Sequence, residues 1–131
     1  MERYESWISR AKSSYELSKA TISNDIHLED LCYQAQQAVE KALKGLLLYF
    51  GAEPEFTHNI GLLLNELGKY TEITDNIKGA IKLTNYAVQT RYPGEYDEIT
   101  KTEYERAVKT AKDCLDWVEI TKANEEAKKK L

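Results

Sequence analysis

Between Leu28 and Phe50 the apolar residues fall at Leu28, Leu31, Cys32, Ala35, Val39, Ala42, Leu43, Leu46, Leu47 and Phe50. This is the recurrence of one α-helical face, sustained for about six turns. The opposite face carries Asp30, Gln34, Gln37, Lys41 and Lys44. A stripe this long must be covered by other elements, so it predicts the central helix of a bundle.

The remaining pattern supplies those elements. Residues 1–22 read as a first helix with Tyr4, Trp7, Ile8, Ala11, Tyr15, Ser18 and Ile22 on one face; Arg10, Lys12, Glu16 and Lys19 point outward. Ser23, Asn24 and Asp25 offer capping side chains, and the central helix is expected to start near Ile26 or His27. It should end at Gly51, which tolerates a left-handed backbone, with Pro54 just beyond. Thr57 reads as the N-cap of a short helix ending at Gly68, with Ile60, Leu63, Leu64 and Leu67 buried. A fourth helix is expected from Glu72 to Gln89, capped by Thr71 and burying Ile73, Ile77, Ala80, Ile81, Thr84, Ala87 and Val88. Pro93-Gly94 fits a type II turn. Thr100 with Glu103 forms a capping box for a last helix that buries Tyr104, Ala107, Val108, Ala111, Leu115 and Val118. No strand pattern or internal repeat is seen. The expected architecture is an all-α up-and-down bundle of five helices, four long and one short. It occupies residues 1–122 as a single domain, with 123–131 a charged, solvated helical tail.

A chain of 131 residues holds one domain with a core of its own, and 42% hydrophobic with 31% charged residues suits a globular protein. No apolar run reaches the roughly 18 residues that span a bilayer. The segment MERYESWISR lacks the apolar centre of a signal peptide, so the expected location is cytoplasmic. A net charge of −4 argues against a global field for nucleic acid and leaves room for a local basic site. Cys32 and Cys114 sit on or beside apolar stripes and read as buried small hydrophobes; neither has a Cys or His at metal-ligand spacing, so no metal or cofactor is expected.

Three polar groups are not needed by the fold. Arg91, with Tyr92 and Tyr96, is either a helix-ending turn paired with a carboxylate, or a phosphate donor flanked by rings that stack on a base. His58 either caps a helix or bonds across helices, or serves as a phosphate ligand or acid/base. The face of Tyr33, Gln34, Gln36, Gln37, Glu40, Lys41 and Lys44 is either solvated or lines an interface or ligand site; Tyr33, Gln34 and Gln37 are its interface candidates.

The blocks YQAQQAVEKALKGLLLYFG, FTHNIGLLLNEL and RYPGEY, in this order ahead of a Tyr-bearing last helix, resemble the HEPN domain (higher eukaryotes and prokaryotes nucleotide-binding). The resemblance extends to about Glu119. It implies a five-helix bundle, an antiparallel homodimer, and pairing with a small nucleotidyltransferase encoded next door, frequently as toxin and antitoxin. Many members are metal-independent ribonucleases whose dimer cleft uses an arginine followed about four to six residues later by a histidine. Here no histidine follows Arg91; the only two, His27 and His58, precede it. The expectation is therefore a non-catalytic member that binds nucleotide, nucleic acid or a nucleotidyltransferase. Arg91, Tyr92, Tyr96, His58, Lys41 and Lys44 are its ligand candidates. The alternatives are a ribonuclease toxin using Arg91 with His58, and a purely structural interaction module.

Overall fold

The computed structural model describes residues 3–20, 23–87 and 98–131. Among them the chain forms helices α1 (Arg3–Ser18), α2 (Leu28–Tyr49), α3 (Ile60–Leu67), α4 (Asp75–Lys78, continued by a 3-10 helix over Gly79–Ala87) and α5 (Lys101–Lys129). No strand occurs among the described residues. The fold is an all-α up-and-down bundle.

The predicted central helix is central in fact. α2 buries Leu31, Cys32, Ala35, Ala38, Val39, Ala42, Leu43, Leu46 and Leu47, all at 5% exposure or less. Each such leucine stabilises the fold by about 1.5–3 kcal/mol through removal from water. α1 runs antiparallel to α2: Ser14 meets Lys41, Ile8 meets Gly45, and the ring of Tyr4 meets that of Tyr49. α5 runs back antiparallel to α1, with Tyr104 at Ser18 and Lys122 at Tyr4. α1 packs tightly at Gly45, where a Cβ would lie 2.8 Å from Ile8 Cδ1 and 3.2 Å from Trp7 Cβ.

The helix ends follow local chemistry. Gly51 adopts φ +86°, as expected after the central helix. The Thr100 hydroxyl accepts from the Glu103 N–H at 3.1 Å, as the capping box requires, while the Glu103 carboxylate receives the Tyr86 hydroxyl. α3 buries Ile60, Leu63, Leu64 and Leu67.

Several boundaries differ from the sequence reading. α1 ends at Ser18, where Lys19 and Ala20 turn back tightly on Glu16 and Leu17 and the Ser18 carbonyl accepts the Tyr104 hydroxyl of α5 at 2.6 Å. α3 is capped by Asn59, whose side chain accepts from the Leu62 N–H; the Thr57 hydroxyl instead accepts from the Asn59 N–H one step earlier. The fourth helix starts three residues later than expected, because Thr74 rather than Thr71 caps it, accepting from the Ile77 N–H. It then tightens to a 3-10 helix, whose period of three buries Ile77, Ala80 and Leu83 and leaves Ile81 45% exposed. Ile22 and Val88 lie outside the described residues. At the other end the charged tail is helical, as expected, and α5 runs to Lys129, with Glu126 on the Tyr49 hydroxyl and Lys129 over the Tyr49 ring. No described helix is long and apolar enough to cross a membrane.

Two tests follow from the packing. Gly45→Val should destabilise the fold by about 1–3 kcal/mol through overpacking against Ile8 and Trp7. Gly45→Ala should cost less, since a helix-propensity gain of about 1 kcal/mol offsets part of the clash. Urea denaturation of both variants separates these outcomes. Burial pushes the thiols of Cys32 and Cys114 up to about 12, so neither should alkylate in the native protein, and both should react once it is unfolded.

Candidate functional site

Gln36, Glu40 and Lys44 stand at successive i+4 positions on α2, one polar row that the surrounding elements bury. Their exposures are 0%, 3% and 7%. A buried charge must be paired and hydrogen-bonded, or it costs several kcal/mol. Here Glu40 is met from four directions. Lys44 Nζ donates to Oε1 at 2.9 Å; Gln36 Nε2 and Gln37 Nε2 donate to Oε2 at 3.0 and 3.1 Å. His58, delivered by the loop between α2 and α3, places Nδ1 at 3.0 and 3.2 Å from the two oxygens.

Gln36 Nε2 also donates to the His58 carbonyl at 3.3 Å, and Gln37 Nε2 donates to Gln36 Oε1 at 2.8 Å. Burial pushes the Glu40 carboxyl up, but the hydrogen bonds from Lys44, His58 and Gln36 outweigh it and hold the group below its ordinary range. An ionised Glu40 accepts, so His58 Nδ1 carries a proton and Nε2 is the nitrogen left for the surface, on a side chain 67% exposed. The Lys44 ammonium lies 5.7 Å from the Trp7 ring centre and 5.9 Å from that of Phe56, a phenylalanine held wholly in solvent.

Trp7 joins this network to a groove of about 430 Å³ between α1 and α2, lined by Arg3, Ser6, Trp7, Arg10 and Lys41. Arg3 Nη1 pairs with Glu53 Oε1 at 2.6 Å, on two exposed side chains. Lys41 Nζ donates to the Ser14 hydroxyl at 2.9 Å; burial, then the charge of Arg10, lowers its pKa. Among the described residues no ion pair engages Arg10.

The structure thus brings His58 and Lys44 together around Glu40 and sets Lys41 apart beside α1. Lys44 corrects the sequence reading. Expected on the outward polar face, it is buried, because α2 has no outward face at this level and its charge is matched by Glu40 one turn earlier. Tyr33, Gln34 and Gln37 are half-buried, and His27 is exposed. Arg91, Tyr92 and Tyr96 lie outside the described residues. The sequence reading gave Arg3 no part in a site, set Arg10 among outward residues and counted Trp7 as core. Their spacing, 3, 7 and 10, is that of one helical face and was the available signal. Among the described residues, no three His, Cys, Asp or Glu side chains are grouped to hold a metal.

Because the folded state holds Glu40 below its ordinary value of 4.5, its contribution to stability is present above that pH and is lost as pH falls below it. Glu40→Gln leaves the Lys44 charge buried without its counter-ion. It should cost about 3–5 kcal/mol at neutral pH. The variant should also lose less than the parent when denaturant melts are repeated in acid.

The chain matches the model of the HEPN domain over residues 4–121. Two crystal structures share its fold. TT1696 from Thermus thermophilus has a TM-score of 0.77 and 29% identity, over 91% of this chain and 98% of that one. ST0689, an archaeal HEPN homologue, has a TM-score of 0.72 and 30% identity, over 92% and 98%. Comparison with curated proteins gave no match. A family model spanning nearly the whole bundle, joined to these two folds, makes this chain a member of the HEPN family.

Proposed function

We propose that this chain is a non-catalytic HEPN module that binds the phosphate of a nucleotide or nucleic acid, acts as a homodimer, and pairs with a small nucleotidyltransferase in a toxin–antitoxin arrangement. The observation that supports it is the Glu40-held His58. Its imidazole is fixed by Nδ1 and offers one nitrogen at the surface, two residues along the chain from the exposed Phe56 ring, on which a base can stack. Cleavage by attack of a ribose 2′-OH needs one group to take a proton and another to return one. The sequence after Arg91 supplies no histidine for the second role. Arg91 then serves phosphate binding, with Tyr92 and Tyr96 shaping the cleft, and Tyr33, Gln34 and Gln37 contribute to the dimer interface.

The same geometry favours a second reading. A carboxylate that orients an imidazole by Nδ1–H leaves Nε2 as a base, the arrangement of hydrolytic triads. On that reading the chain is a metal-independent ribonuclease using His58 with Arg91. RNA incubated with purified protein in chelator, beside Arg91→Ala and His58→Ala, separates the two. The binding module predicts no cleavage above the variants. It also predicts a nucleotide-induced rise in melting temperature, worth about 2.7 kcal/mol at one hundred times Kd and reduced in Arg91→Ala. Cleavage that both substitutions abolish overturns the non-catalytic reading. A single-chain mass by light scattering at micromolar concentration overturns the dimer.

A further inference from the structure

In the groove between α1 and α2 three cations meet an indole. Arg3, Trp7 and Arg10 come from one face of α1, and Lys41 from α2 across the gap. This clustering runs against the chain's net charge of −4. Glu53 pairs with Arg3, and the charge of Glu40 bears on Lys41. Lys41 donates to the Ser14 hydroxyl, and the like charge of Arg10 bears on it. Like charges held together repel, and folding alone gives no reason to gather them. An anion entering the groove would relieve that repulsion and give the half-buried Lys41 ammonium a charged acceptor.

We propose that this groove is a binding site for a nucleoside diphosphate, separate from the His58 surface. The guanidinium of Arg10 matches two phosphate oxygens with parallel N–H donors, and Lys41 supplies a point charge to the same group. Ser6 offers a hydroxyl on the same wall. The Trp7 indole provides the aromatic face on which a base stacks, an interaction that tolerates any base. A groove of about 430 Å³ falls within the size range of small-molecule sites. Arg3 can exchange Glu53 for the terminal phosphate, since both side chains are exposed and such a pair is weak in water. Among the described residues none of its lining side chains hydrogen-bonds to Glu40 or His58, so the site is tested separately from the His58 reading, although the Lys44 ammonium also lies over the Trp7 ring.

Trp7 is itself the reporter. The chain has two tryptophans, so Trp117→Phe leaves Trp7 as the only indole. ADP titrated into that protein should change Trp7 fluorescence saturably, and added salt should weaken the binding. Arg10→Gln and Lys41→Gln should each raise Kd about tenfold or more, with helical content by circular dichroism unchanged. His58→Ala should leave the titration as it was. The proposal is overturned by a fluorescence that ADP does not saturate at millimolar concentration, or by binding that both groove substitutions leave intact. Loss of binding in His58→Ala would overturn the separateness of the site. Inorganic pyrophosphate as the phosphate-only probe should bind more weakly than ADP; equal affinity would overturn the nucleoside assignment.

Discussion

An ionised carboxylate in the middle of the central helix constrains everything packed around it. Glu40 has almost no contact with water, so each of its oxygens must be matched by protein donors. Lys44 and the two glutamines come from α2 itself. His58 has to come from elsewhere, and the loop after α2 must fold back to deliver it. The polar network thereby ties the α2–α3 connection to the central helix. Replacing such a network with well-packed apolar residues often leaves stability unchanged or improved. Keeping it gives one exposed imidazole a defined orientation, which an apolar core does not provide.

The helical frame was legible in the sequence because it rests on period and punctuation. The stripe from Leu28 to Leu47, the four apolar residues of α3, the left-handed Gly51 and the Thr100 cap each follow from local chemistry that no distant contact overrides. Where distant contacts intervene, the local signal fails. Thr71 and Thr74 are equally good caps on paper; the choice of Thr74 goes with a turn whose tightened period sends Ile81 outward. Lys44 reads as a surface lysine until the other helices close around α2. Trp7 and Arg10 lie on neighbouring parts of α1, and only the course of α2 beneath them makes a groove of the two. Family membership was legible in the order of three sequence blocks, whereas the placement of His58 on Glu40 was not, since eighteen residues of helix and loop separate them.

Gly45 links the two halves of the site region. With no side chain there, the backbone of α2 approaches Ile8 and Trp7 closely. That approach holds the Trp7 ring near Lys44 and also against the groove wall. A single close crossing of two helices therefore positions the indole that both surfaces share, and neither surface can shift without disturbing the other.

The bond from the Tyr104 hydroxyl to the Ser18 carbonyl joins residues 86 positions apart. While the chain is being synthesised, the first helix and the central one can meet as soon as both have emerged, since their contacts are close in sequence. The C-terminal limit of the first helix is another matter. Local turns at Lys19 and Ala20 close the helix, and its last carbonyl then takes its partner from the far end of the chain. Docking of the last helix onto the bundle therefore also pins the end of the first.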